Sequence, residues 1–145
     1  MIPEDVVDQI EQAGQYLKDH DVSVVAIKDG VILNSIKGEG IRPFLELIQQ
    51  HRSLLEGCVI GDRILGKASA LLCRYIGAKG VYADHGTKKA IATLIVGGIP
   101  NQVDEIVDII KNRTKDGLCP FEKLLESEDD PRRAYRILVD KIMKV

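Results

Sequence analysis

The residues that most constrain this chain run from Cys58 to Cys73, Cys-Val-Ile-Gly-Asp-Arg-Ile-Leu-Gly-Lys-Ala-Ser-Ala-Leu-Leu-Cys. An apolar run, a glycine turn and a helix start follow one another there without a spare residue. Cys58 to Ile60 lies between Gly57 and Gly61 as a buried strand would, and Ala68, Leu71, Leu72, Tyr75 and Ile76 recur at helical spacing. Gly66 and Lys67 fall where that helix begins. Unpaired N–H groups and the positive end of the macrodipole gather at such an end, so a glycine lets an anion approach and a lysine adds a full charge. Gly66, Lys67, Ala68 and Ser69 are therefore candidate ligand-binding positions.

On either side, strands alternate with helices. Pro3 opens a helix whose apolar stripe, Val6, Val7, Ile10, Ala13, Gly14 and Leu17, ends near Asp19. Val22 to Ile27 and Val31 to Ile36 are β-branched runs joined across Asp29-Gly30, which predicts a hairpin. Gly38-Glu-Gly40 breaks the second strand, and Pro43 opens a helix with Phe44, Leu47, Ile48, His51 and Leu55 on one face. Val81 to Asp84 reads as a short buried strand, with Thr87 as the cap of the next helix. Ile91 to Val96 fits either a helix or a strand, and the spacing of Ala90, Ile91, Leu94 and Ile95 favours the helix. After the breaker Gly97-Gly-Ile-Pro100, Val103 is assigned to a brief edge strand and Ile106, Val107, Ile109 and Ile110 to a short helix, ahead of a polar loop from Lys111 to Gly117. Two more helices start at Cys119-Pro120 and at Asp129-Asp130-Pro131, the last with Ala134, Ile137, Leu138 and Ile142 inward. A hairpin followed by strand–helix alternation argues for an α/β fold, a mixed sheet with helices on both faces. The 145 residues suit one domain, an α/β core over 1–112 with a helical C-terminal extension over 113–145 packed on it.

Charge narrows the classes of partner. The 20 basic and 22 acidic residues leave a formal charge of -2, with no cluster of arginines interleaved with aromatics, so no nucleic-acid partner is expected. No apolar run suits a membrane span, and Glu4 and Asp5 stand where a signal peptide would carry positive charge. The expected address is cytoplasmic. Three cysteines, an odd number, fit reduced thiols better than a disulfide framework.

The hairpin Val22 to Ile36, the run Gly-Asp-Arg-Ile-Leu-Gly-Lys-Ala-Ser-Ala at 61–70, Val81-Tyr-Ala-Asp84 and Asp116-Gly-Leu-Cys-Pro-Phe-Glu122 resemble a group of small uncharacterised proteins of the cytidine-deaminase-like fold. The resemblance spans most of the chain. It implies a three-layer α/β/α sandwich and a homodimer, with no established activity. True deaminases hold a zinc ion with a His or Cys beside a Glu at one helix start and Pro-Cys-x-x-Cys at the next. This chain has Gly38-Glu-Gly-Ile-Arg42 and Leu65-Gly-Lys-Ala-Ser-Ala70 instead, and no cysteines or histidines at ligand spacing, so neither a metal nor another cofactor is expected. A cleft in the same place, where strand ends meet helix N-termini, is.

Within that cleft several residues carry two readings. Gly61-x-x-x-x-Gly66-Lys67 has the spacing of a phosphate-cradling loop, yet Ala68 stands where a Ser or Thr would hold magnesium and Ile64-Leu65 brings bulk into the loop. The plain alternative is a tight strand-to-helix turn. Asp62 in that turn is a general base or a helix cap, and Ser69 is a hydrogen-bond donor to the ligand or a small packed residue. Asp84 and His85, at the end of the neighbouring strand, would complete a pocket with Asp62 and Lys67; Glu39 and Arg42 would face it in a deaminase-like arrangement. Cys119 at a helix start is a candidate nucleophile or an inert capping residue, whereas Cys58 and Cys73 read as core. His51 reads as structural, and Asn112-Arg113 as a loop brace. The functional expectation is binding of a nucleotide-like or phosphorylated small molecule at Gly66-Lys67. A non-catalytic interaction or oligomeric module is the alternative, and catalysis through Asp62 or Cys119 stays open.

Overall fold

The chain starts with a helix because Pro3 presets the backbone for its first turn and Val6, Ile10, Ala13 and Leu17 bury one stripe: α1 covers Glu4–Asp19. The computed structural model describes residues 2–111 and 119–143. Strands β1 (Val24–Lys28) and β2 (Val31–Ile36) form the hairpin, and Asp29 and Gly30 both take the positive φ, 51° and 82°, that a two-residue turn of the right twist demands. The register slips by one residue between Ala26 and Ile27, leaving a bulge in β2. Helix α2 (Arg42–His51) is followed by a 3₁₀ turn over Arg52–Leu55, then β3 (Val59–Leu65), α3 (Lys67–Ile76), β4 (Gly80–Thr87) and α4 (Lys88–Val96). The Thr87 hydroxyl accepts the Ala90 N–H at 3.0 Å, so the expected cap forms and the apolar run 91–96 is helical.

Five strands make one sheet in the order β2-β1-β3-β4-β5, with β5 covering Asn101–Val107. β1 pairs antiparallel with β2 and β3, while β3, β4 and β5 run parallel, so the sheet is mixed as expected. Side chains alternate across it. Val25, Ile27, Val59 and Tyr82 meet α1 on one face; Val24, Ala26, Ile60 and Ala83 meet α2, α3, α4 and the C-terminal helices on the other. The helical tail comprises α5 (Pro120–Leu124), α6 (Pro131–Leu138), capped by Asp130 on the Arg132 N–H, and a π turn over Val139–Met143. Leu125, Ala134 and Leu138 are fully buried and tie the tail to the main core, each leucine worth about 1.5–3 kcal/mol of transfer free energy.

Two expectations are corrected. Ile106 and Val107 end β5 and do not start a helix, because the outer edge of β4 offers a row of peptide groups that a β-branched segment pairs with at once. Gly61 is not a turn but the middle of β3, and Asp62 and Arg63 are strand residues too. A Cβ at Gly61 would meet Val25 at 2.8 Å, Ala13 at 3.1 Å and Leu17 at 3.3 Å, so the glycine is there to let α1 lie down on the sheet. No phosphate-cradling loop exists at 61–65. Asn112-Arg113 and the rest of the polar stretch up to residue 118 lie outside the described residues.

Candidate functional site

Where β3 ends and α3 begins, a cleft of about 1240 Å³ opens between the Gly38–Ile41 approach to α2 and the start of the C-terminal tail. Pleating decides which side chains enter it. Asp62 shares the α3 face of β3 with Ile60, whereas Arg63 points with Gly61 to the α1 face. Glu39, Arg42, Asp62, Gly66, Ala68, Ser69 and Cys119 all line the cleft, together with Phe121, Glu122 and Ile142. Lys67, Asp84 and His85 do not.

The helix start is already occupied. The two carboxylate oxygens of Glu122 accept the N–H of Lys67 at 2.7 Å and of Ala68 at 2.8 Å, so the protein's own side chain holds the nitrogens expected to receive a ligand anion. A Cβ on residue 66 would sit 2.3 Å from one of those oxygens, which is why a glycine precedes the helix. The Lys67 ammonium, on a buried side chain, turns to the tail, reaching the Glu126 carbonyl at 3.0 Å and the exposed Asp129 carboxylate at 2.9 Å. That ion pair lowers the Asp129 pKa. Glycine and lysine thus do what an anion site requires, but for an internal anion.

Asp62 is the cleft's buried titratable group, 8% exposed. Burial pushes its pKa up to about 7, against the opposing hydrogen bonds of the Ser69 side chain and of the Ile64 and Arg63 backbone, with the nearby Asp84 charge adding to the rise. Ser69 therefore serves Asp62 from the first turn of α3. Burial also pushes the Cys58 thiol up to about 12 and the Cys73 thiol well above its ordinary value, as inert core cysteines should be. Cys119 is half-buried at the cleft edge, and among the described residues no hydrogen bond joins its thiol to a base. Arg42 is committed to the tail, donating to the Ile142 carbonyl at 2.9 Å.

On the α1 face a different network forms. Arg63 donates to the carbonyls of Leu17 at 2.7 Å, His20 at 3.0 Å and Val22 at 3.0 Å, and to Asp84 at 3.0 Å. A cation at the C-terminal end of α1 complements its dipole. The hydroxyl of Tyr82 lies between two carboxylates, 2.8 Å from Asp84 and in closer hydrogen-bond contact with Asp104. Desolvation and the two carboxylates raise the phenol pKa, and the phenol lowers that of Asp104. On the opposite face, in line with Ala83 and Ile64, His85 pairs with Glu105 at 2.9 Å. Asp84 and His85 accordingly support the sheet away from the cleft. His51 meets Asn34 at 3.1 Å, a structural contact.

Glu122 went unread as a site residue because, in the chain, it is only an acid in the first turn of its own short helix. Nothing local announces that it reaches back 55 residues to Lys67.

A family model described as TM1506, a domain of unknown function (DUF1893), matches residues 12–142. The chain belongs to the TM1506 family. Its structure resembles the crystal structure of the DUF1893 family protein TM1506 from Thermotoga maritima, at 27% identity and a TM-score of 0.84, over 93% of this chain and 90% of that one. The bifunctional diaminohydroxyphosphoribosylaminopyrimidine deaminase/5-amino-6-(5-phosphoribosylamino)uracil reductase of the same organism matches at 14% identity and a TM-score of 0.52, over 66% of this chain and 37% of that chain. That likeness shows a deaminase-like fold for the TM1506-family chain and nothing of its chemistry. No curated protein matches the sequence. Among the described residues, no group of three His, Cys, Asp or Glu side chains is placed to hold a metal ion. In the cleft of this TM1506-family member the Glu122 carboxylate is held by the Lys67 and Ala68 peptide N–H groups, and Asp62 is hydrogen-bonded to Ser69. Among the described residues, no helix is long and apolar enough to cross a membrane.

Proposed function

We propose that the chain binds a small nucleotide-like molecule in the cleft, recognising its base through Asp62 rather than its phosphate through the α3 N-terminus. The observation that carries this is the burial of the Asp62 carboxyl in a cleft of about 1240 Å³ on a deaminase-like fold. A carboxyl that titrates near neutrality offers both a donor and an acceptor, the complement of the amide or amidine edge of a heterocycle. Ser69 and the peptide N–H groups of Arg63 and Ile64 steady it. A phosphate at Gly66-Lys67 would first have to displace Glu122 from two short hydrogen bonds.

A thermal-shift series with cytidine, uridine and adenosine tests this. Saturation at about a hundred times the dissociation constant adds roughly 2.7 kcal/mol of stability and raises the melting temperature. Asp62→Asn abolishes the response and Lys67→Ala keeps it. Failure of every nucleoside to stabilise the wild type, or an unchanged response in Asp62→Asn, sinks the reading.

The second reading, an oligomeric module, draws on two observations. Glu122 fills the notch at the helix start, and Ile95, Val96 and Ile106 stand 64%, 76% and 55% exposed near β5, an edge of the sheet. The occupant would be a second copy, forming a homodimer. Light scattering of wild type against Val96→Glu decides it: a dimer that the charge splits supports the module, and a monomeric wild type removes it.

A further inference from the structure

A second cavity, of about 1260 Å³, lies between the 3₁₀ turn after α2, the C-terminal end of α3 and the start of α6, and it shares no lining residue with the cleft. Its lining brings together Arg52, Arg74, Arg132 and Arg136 against two carboxylates, Glu56 and Asp130. We propose that this cavity is a binding site for a small molecule carrying a di- or triphosphate group, such as a nucleoside di- or triphosphate.

Unspent charge is the first argument. Among the described residues the guanidinium groups of Arg74, Arg132 and Arg136 make no hydrogen bond and no ion pair, Arg74 only lying near enough to Asp129 to add to the lowering of its pKa, although other cations of the chain, Arg63 and Arg133 among them, find carboxylates. The Asp130 carboxylate is turned to capping α6, accepting the Arg132 N–H at 2.9 Å. Four cations on one depression of a chain whose formal charge is -2 repel one another, and a polyanion with several acceptor oxygens removes that repulsion while matching guanidinium forks two oxygens at a time.

Preorganisation is the second. Tyr75 and Tyr135 stack at 4.3 Å with an interplanar angle of 11°, Arg52 donates to the Tyr75 hydroxyl at 3.1 Å, and its guanidinium lies 5.7 Å over the Tyr135 ring. One arginine is thereby fixed before any ligand arrives, which lowers the ordering cost of binding. Arg132 and Arg136 share one face of α6, and Arg52 and Arg74 reach the same depression from the 3₁₀ turn and from α3, so the four charges gather at one spot and not along an extended surface, which favours a compact polyphosphate over a nucleic-acid backbone.

Isothermal titration of the full chain with inorganic pyrophosphate, ATP, adenosine and a single-stranded oligonucleotide tests the site. The expected result is binding of ATP and pyrophosphate that weakens with added salt, no competition from adenosine, and a loss of about tenfold or more in affinity in Arg136→Glu and in Arg74→Ala. ATP tighter than pyrophosphate assigns a nucleoside phosphate; equal affinity assigns the phosphate group itself. Asp62→Asn, which removes nucleoside recognition in the cleft, leaves the pyrophosphate affinity unchanged, so this site stands or falls apart from the cleft. Unliganded melting temperatures check that the variants at half-buried Arg74 and exposed Arg136 fold. The proposal is overturned by absence of binding at about 1 mM phosphate ligand, by wild-type affinity in both arginine variants, or by an oligonucleotide that binds more tightly than ATP.

Discussion

The carboxylate of Glu122 occupies the space that a side chain on residue 66 would fill, 2.3 Å from the place of the missing Cβ. The two residues define one another. Only a glycine admits the carboxylate, and only the carboxylate satisfies the two peptide nitrogens that the glycine uncovers.

Glu122→Ala removes the cap from α3 and leaves the Lys67 and Ala68 N–H groups without their acceptor. The expected cost is about 1–2 kcal/mol of unfolding free energy, read as a lower midpoint in urea. Cys119, three residues before Glu122 at the cleft edge, should then alkylate faster with iodoacetamide than in the wild type. An unchanged midpoint with unchanged alkylation would show that the clasp contributes nothing.

Gly66→Ala forces the new methyl group into Glu122 and should cost about 1–3 kcal/mol. Combined with Glu122→Ala the steric part of that cost disappears. A double-mutant cycle should therefore give a coupling of about 1 kcal/mol or more, whereas additive single effects would place the clash elsewhere.

Burial raises the Asp62 pKa in the folded chain to about 7 from the ordinary 3.8, so between those values the folded state binds the extra proton. Stability from this group is complete below about pH 4 and is lost as pH rises to about 7, by at most roughly 4 kcal/mol. Asp62→Asn has no proton to lose. Its urea-unfolding free energy should fall less steeply than that of the wild type from pH 4 to pH 8, and parallel profiles would contradict the buried, neutral carboxyl.

Arg63→Lys keeps the charge but loses the fork that joins Leu17, His20, Val22 and Asp84. A destabilisation of about 2 kcal/mol is expected, with amide exchange accelerated first in the last turn of α1. Asp129→Ala removes a partner that is 89% exposed but leaves the ammonium of buried Lys67 with only the Glu126 carbonyl, so a smaller cost of about 1 kcal/mol is expected.

Much of this architecture follows from neighbours in the chain. Asp29-Gly30 can turn two strands within two residues, Thr87 can cap a helix three residues on, and the stripe from Val6 to Leu17 can face only one surface; each rests on backbone geometry or side-chain period, which local sequence encodes. The face of the sheet that Asp62 and Arg63 take, the role of Gly61 beneath α1, and the strand over Ile106 and Val107 depend on what lies across the fold. So does the candidate site. Gly66 and Lys67 have the chemistry to hold an anion, a property of a helix end and a cation that sequence displays; that the anion is Glu122 was decided by the docking of the tail, since burial and charge compensation act through space between residues that chain order keeps far apart.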